Sequence, residues 1–207
     1  MVQSVGTDST VIVGIDEAGR GPLAGPVVAG ACVDIPALRA HTLIRDSKQM
    51  TPEEREEAFG WIASHCIYGV GIVEAAVIDA EGILAATERA MHAALAEVEA
   101  RTTPTYLLID GRDHFWFDYP KSSIIGGDSS EPCISAASIV AKVTRDRLMI
   151  ERAGQFPQYQ FEIHKGYATA LHQEMILKHG PCTLHRKKFL RKMLSASASP
   201  ARGATLR

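Results

Sequence analysis

Val13-Gly14-Ile15-Asp16-Glu17-Ala18-Gly19-Arg20-Gly21-Pro22 carries an apolar run into two adjacent carboxylates and then straight into a Gly-Arg-Gly turn. The β-branched run begins at Thr10 and reads as a strand. Gly25 to Asp34 is a second such run across a Gly/Pro turn, so the two pair with each other. This order places metal-ligand chemistry beside backbone that can approach a phosphate or sugar closely.

Working outward, Thr51-Pro52-Glu53-Glu54 combines an N-cap threonine, proline at the first helical position and acids in the first turn. A helix is predicted from there to about Ser64. Cys66 to Val73 reads as a third strand. Ile78 to Arg101 has apolar residues near helical spacing and no proline, which predicts one long amphipathic helix. Ser135 to Arg152 reads as another helix, with Ile139, Val140 and Val143 facing inward and Lys142, Arg145 and Arg147 in solvent. Past Tyr159 short helices and loops are expected, and residues 195–207 form a small-residue tail expected to be disordered.

The strand design recurs. Thr105 to Gly111 is an apolar run that emerges at Asp110, and Ser122 to Asp128 repeats the plan less regularly. Neighbouring strands deliver their ends to one sheet edge, so Asp16, Glu17, Asp110 and Asp128 are expected to share a site. Carboxylates gathered in a partly desolvated place repel one another unless protons or cations compensate them. Mg²⁺ or Mn²⁺ fits this need, because these hard ions take oxygen ligands. Two such ions, roughly 4 Å apart, stabilise the attacking and leaving oxygens of a phosphodiester together. Each acid alone also has a plain structural reading, as a turn or loop cap.

Composition agrees with an enzyme of this kind. The 207 residues, 46% hydrophobic and 22% charged, suffice for one domain plus at most a small lobe. The start at Met1-Val2-Gln3-Ser4 has neither a basic leader nor an apolar signal core, and no apolar run is membrane-length, so a soluble cytoplasmic protein is expected. Cys32, Cys66, Cys133 and Cys182 are widely separated, which suits buried thiols better than disulfides or structural zinc. The net charge of −2 conceals an uneven distribution: His164 to Lys192 carries +6 and the remainder −8. A basic segment of this sort neutralises phosphates through its local field, although a solvated helical face has the same composition.

Other chemistries fit less well. There is no HExxH for a zinc hydrolase and no GxSxG for a serine hydrolase, and Gly21 to Pro26 lacks the Lys-Ser/Thr of a nucleotide-binding loop. Gly19-Arg20-Gly21 offers amides and a cation to a ribose or phosphate, or else is simply a tight connection. Asp46-Ser47-Lys48 puts an ammonium and a hydroxyl on a loop. His164-Lys165-Gly166-Tyr167 joins two cations to a flexible glycine and a ring able to stack on a sugar or base.

Together these segments closely resemble the ribonuclease HII family, over roughly Val11 to Phe189. The resemblance rests on Gly14 to Pro22, Asp46-Ser47-Lys48, Ile109-Asp110-Gly111, Gly127-Asp128 with Ile134 to Asp146, and His164 to Tyr167 with His185-Arg186. It implies an α/β ribonuclease H-like fold: a mixed five-stranded sheet flanked by helices over residues 10–152, and a small C-terminal helical lobe over 153–194. It further implies hydrolysis of the RNA strand of RNA–DNA hybrids, and nicking of duplex DNA 5' to embedded ribonucleotides that leaves 3'-hydroxyl and 5'-phosphate ends. Asp16, Glu17, Asp110 and Asp128 match the family's metal-binding acids. Gly19, Arg20 and Gly21 match the motif that senses the 2'-hydroxyl, Tyr167 matches the tyrosine on the neighbouring deoxynucleotide, and Lys48 and Lys142 fall among backbone contacts. A monomer is the family expectation. Other nucleases of this fold, of resolvase or integrase type, share acidic clusters, and a non-catalytic hybrid-binding protein is a further alternative. Gly126, Gly82 and Lys187-Lys188 stand where the family more often has lysine, asparagine and serine, which bears on substrate affinity and metal dependence.

Overall fold

β1 (Ile12–Ala18) and β2 (Val27–Val33) form the expected pair and run antiparallel, with Ile15 opposite Ala31 and Asp16 opposite Gly30. This computed structural model describes residues 10–197. After β2 come α1 (Pro36–Ala40), a 3-10 turn at Ser47–Gln49, α2 (Pro52–His65) and β3 (Tyr68–Val73), which pairs antiparallel with β2. Next are α3 (Ala75–Glu81), α4 (Ile83–Glu99), β4 (Tyr106–Asp110) and β5 (Lys121–Ile124). β4 lies parallel to β1 and β5 parallel to β4, giving a mixed sheet of order β3-β2-β1-β4-β5. α5 (Gly127–Ser130), α6 (Pro132–Ala153), α7 (Phe161–His164), α8 (Ala170–His179) and α9 (Lys187–Ser197) follow within the described residues.

Helices cover both faces. α4 lies on one, burying Ala90, Met91, Ala94 and Val98 against Val13, Ile15 and Ala29. α6 lies on the other, with α2 beside it, around Ile134, Ala137, Ile139 and Val140. Both approaches are close because the sheet has glycines beneath the helices. A β-carbon at Gly14 would stand 2.3 Å from the Cys133 backbone, and one at Gly71 only 1.8 Å from the Ala90 carbonyl.

Four expectations need correction. The single helix over 78–101 is two helices, because Gly82 between them adopts φ 92 and ψ 161, a conformation essentially confined to glycine. The α6 helix starts at Pro132 rather than Ser135, with proline in the first turn where its missing N–H costs nothing. Helix α9 passes through Ser195 to Ser197, so the expected tail begins in helix; residues 198–207 lie outside the described residues.

The fourth concerns Arg145, expected in solvent and in fact fully buried. Periodicity presumes that one stripe of a helix is covered. The C-terminal half of α6 is covered twice, by the sheet and by a cluster of Ala24, Met149, Tyr159, Phe161 and Met175 that joins the β1–β2 turn to the C-terminal segment. Its other solvent-side expectations hold better: Arg147 is exposed and Lys142 half-buried. Cys32, Cys66 and Cys133 are buried free thiols, and Cys182 is free and half-buried.

Candidate active site

The parallel register of β1 and β4 sets Ile15 beside Ile109, and so brings Asp16 and Asp110 to the same end of the sheet. Asp128 arrives differently. It lies beyond the end of β5, in the one-turn helix α5, rather than on a strand end. The amides of Gly127 and Asp128 donate to Asp110 Oδ1 at 2.8 and 3.4 Å, so α5 is fixed by one of the acids it stands beside. Carboxylate oxygens of Asp16, Asp110 and Asp128 all lie within 4.8 Å of one another.

Glu17 stands outside this group of three. Side chains alternate along a strand, so Asp16 shares the α6 face with Gly14 while Glu17 points to the other face. There Glu17 Oε1 accepts from Arg20 at 3.3 Å, and Arg20 also donates to Asp113 Oδ2 at 2.7 Å. Asp113 escaped the sequence reading, although it sits only three residues beyond Asp110.

Burial and mutual repulsion dominate the electrostatics of these acids. Burial pushes the Asp16 carboxyl well above the usual carboxylate range, and the Glu17 and Asp110 charges push it further; hydrogen bonds from Ser138 and the Glu17 amide only partly oppose this. Glu17 is also raised, chiefly by burial, with Arg20 pulling the other way. Lys48 Nζ donates to Asp128 Oδ2 at 2.7 Å, and this bond raises the lysine's own pKa. Lys48 therefore supplies the positive charge beside Asp128 that Gly126 does not.

Arg20, Lys48, Asp110, Asp113, Gly126 and Asp128 line an open cleft of about 460 Å³. The oxygens fit a hard divalent cation in donor type, spacing and charge. Family membership settles the broader question: the ribonuclease HII family model matches residues 13–193. The chain belongs to the ribonuclease HII family. The family's activity is endonucleolytic hydrolysis of RNA in RNA–DNA hybrids, and the chain is a hydrolase of this class. It is 48% identical to ribonuclease HII of Geobacter metallireducens over 179 residues, 86% of this chain and 83% of that one. Against ribonuclease HII of Citrifermentans bemidjiense identity is 49%, over 86% and 76%. Among solved structures, the chain is similar to RNase HII in a PCNA:RNase HII complex from Archaeoglobus fulgidus, with TM-score 0.70, 25% identity and coverage of 86% and 94%. Ribonuclease H2 from Pyrococcus horikoshii gives TM-score 0.68 and 26% identity over 90% and 98%.

Tyr167 is 38% exposed, with Lys142 Nζ 5.6 Å and the Arg145 guanidinium 5.4 Å from its ring centre. Lys142 itself bonds Asp146 at 2.9 Å. His164 is not the surface cation the sequence suggested. It is buried, burial lowers its pKa, and it bridges the Tyr159 carbonyl and the Gly166 amide. His172 and His185 are buried too, and burial takes both down to about 4.

Neutral rings fix the tautomers. Nδ1 of His172 meets the Tyr167 carbonyl at 2.9 Å and so carries the proton; its Nε2 then accepts from His185 Nε2 at 3.1 Å. His185 Nδ1 is left to accept from the Cys182 amide at 2.9 Å. Each donor meets an acceptor, and the chain ends on the backbone of Tyr167.

Arg186 is likewise buried. It donates to the carbonyls of Gly19, Arg20, Gly25 and Pro26. Desolvation and the nearby Arg145 charge lower its pKa to about 9, which leaves it charged at neutral pH. Lys187 and Lys188, where serine is more usual, donate their amides to the Asp79 carboxylate at 2.8 and 3.1 Å. Asp79 thus serves as the cap at the start of α9. No helix among the described residues is long and apolar enough to cross a membrane.

Proposed function

We propose that the chain, besides cutting the RNA strand of hybrids, nicks duplex DNA 5' to a single embedded ribonucleotide and leaves 3'-hydroxyl and 5'-phosphate ends. The observation that carries this reading is the meeting of three carboxylates within 4.8 Å, two of which, Asp110 and Asp128, line a cleft together with Arg20 and Lys48. Asp16, Glu17, Asp110 and Asp128 would hold two divalent ions, Mg²⁺ or Mn²⁺, which supply an activated water and charge stabilisation at the scissile phosphate. Glu17 reaches this role by leaving Arg20, which turns to the substrate once it also exchanges Asp113 for a phosphate or sugar.

Gly19, Arg20 and Gly21 read the ribose 2'-hydroxyl, and Tyr167 packs on the adjoining deoxynucleotide. Lys48 and Lys142 contact the phosphate backbone once substrate competes for their carboxylate partners. Residues 10–152 act as the catalytic core and 153–194 as the lobe that holds the duplex. The protein works as a cytoplasmic monomer in ribonucleotide excision and RNA primer removal.

The deciding assay is cleavage of a DNA duplex containing one ribonucleotide, with each metal in turn and analysis of the product ends. Cutting 5' to the ribonucleotide with a 3'-hydroxyl is the expected result. Cleavage confined to long hybrids, or selective cutting of branched junctions as by a resolvase-type enzyme, overturns it. Binding without cleavage in both metals would instead make the chain a hybrid-binding protein.

A further inference from the structure

Arg145 is a fully buried guanidinium that bonds no carboxylate. Its Nε donates to the Pro26 carbonyl at 3.0 Å, and its Nη2 to the carbonyls of Ala24 at 3.2 Å and Lys165 at 3.0 Å. Nη1 is buried with no hydrogen-bond partner, while the Tyr167 ring centre lies 5.4 Å from the guanidinium carbon. An isolated buried charge is costly, and a side chain packed only for stability is more economically apolar. The partners show what this charge does: two belong to the turn after Gly19-Arg20-Gly21, and two to the loop bearing Tyr167.

The two loops meet at this point. The Leu23 amide donates to the Gly166 carbonyl at 2.8 Å. A β-carbon at Gly166 would stand 2.4 Å from the Ala24 carbonyl, and one at Gly19 would stand 2.2 Å from Arg145 Nε. Gly19 also has φ +98. It is therefore glycine both for its backbone and because Arg145 occupies the space above it.

We infer that Arg145 is a positioning residue for substrate choice, a brace that sets the Gly19–Gly21 turn and the Tyr167 loop at one fixed separation. The inference rests on the reading that these two elements recognise the ribonucleotide junction. Bonding through carbonyls keeps the turn's polarity sorted, so that carbonyls face the buried cation. A planar fork reaches three carbonyls and a ring face at once. A lysine ammonium, though charged, is a single point and does not. The acids are held by other contacts, at Ser138, Lys48 and Gly127, so the brace acts on recognition rather than on metal binding.

The test is Arg145→Lys, read as the ratio of kcat/KM on a duplex with one ribonucleotide to kcat/KM on a uniform RNA–DNA hybrid. The expected result is a fall in this ratio of about tenfold, with the Mg²⁺ concentration for half-maximal activity unchanged, since small misplacements of positioning groups are costly. An unchanged ratio, or an equal loss on both substrates, overturns the brace. Arg20→Ala and Tyr167→Ala are run beside it. If these leave the ratio intact the junction reading has failed, and the brace is then judged by hydrogen exchange alone. The same measurement decides should Arg145→Lys not fold: in substrate-free Tyr167→Leu, loss of the ring over Arg145 is expected to speed exchange of the Leu23 and Gly25 amides severalfold. Unaltered exchange overturns the coupling.

Discussion

Replacing Asp16 by Asn is expected to stabilise the metal-free protein while abolishing cleavage. Oxygens of Asp16, Asp110 and Asp128 lie within 4.8 Å of one another, and two unit charges at that distance repel by ~3 kcal/mol at an effective dielectric constant of about 20. Two effects reduce the net cost. Lys48 compensates Asp128, and Asp16, its pKa raised by burial and by Glu17 and Asp110, relieves the repulsion by taking a proton. The sign follows from that shift: a carboxyl with a raised folded pKa contributes stability below its unfolded pKa and loses it as pH rises through the folded value.

The strain in the metal-free site is therefore greatest at alkaline pH. Asparagine has the same shape, still accepts from the Glu17 amide, and carries no charge. A gain of about 1–3 kcal/mol at pH 8 follows, or roughly 2–10 °C in Tm for a chain of this length. The assay is thermal unfolding of both proteins in EDTA at pH 8 and pH 5, and again in Mg²⁺. The gain is expected to shrink at pH 5, and to shrink or reverse in Mg²⁺, which stabilises the wild type by mass action. An Asp16→Asn protein no more stable than wild type in EDTA at pH 8 refutes the reasoning, as does persistent cleavage.

Other outcomes are accessible to similar measurements. His172 and His185, held near pKa 4 when folded, contribute stability that is complete above pH 6.5 and is lost as pH falls toward 4, by roughly 3 kcal/mol each; urea unfolding in an Asp16→Asn, Glu17→Gln background separates this from the two acids whose raised pKa values oppose it, and a flat profile counts against the buried histidine pair. In ¹⁵N NMR at pH 6 both rings are expected neutral, with His172 protonated on Nδ1 and His185 on Nε2. Gly82→Asn, though asparagine is frequent at this place in the family, is expected to cost ~1–3 kcal/mol because of the glycine-only backbone, and an unshifted Tm contradicts that. Gly126→Lys adds a cation beside Asp128 at a left-handed position with open space; it is expected to lower stability by about 1 kcal/mol and raise the half-saturating Mg²⁺ concentration severalfold, and an unmoved metal midpoint refutes the electrostatic part.

Much of the fold is legible because its signals are local. The Thr51 cap, with the Glu54 side chain returning to the Thr51 amide, starts α2 where expected, and the apolar runs of β1, β2 and β4 end in turns that mark themselves. The break at Gly82 is less visible, since the periodicity continues across it and only φ and ψ reveal it. Family motifs pointed to all four acids, but they did not tell Glu17 from its neighbour.

The order of apolar runs, acids and glycines along the chain determined the sheet, the helices and the chemistry of the cleft, because those properties depend on residues close in sequence. Tertiary structure decided which groups are charged and where they face. It put Asp128 on a helical turn, drew Lys48 to it, removed His164 from the surface and closed a second layer over α6. Arg145 shows the difference most directly: periodicity placed it in water, while contacts with Ala24 and Pro26, some 120 residues earlier by the sequence separations of 121 and 119, make it the buried link between two loops. Burial of this kind depends on what folds back over a helix, and the helix's own sequence does not record it.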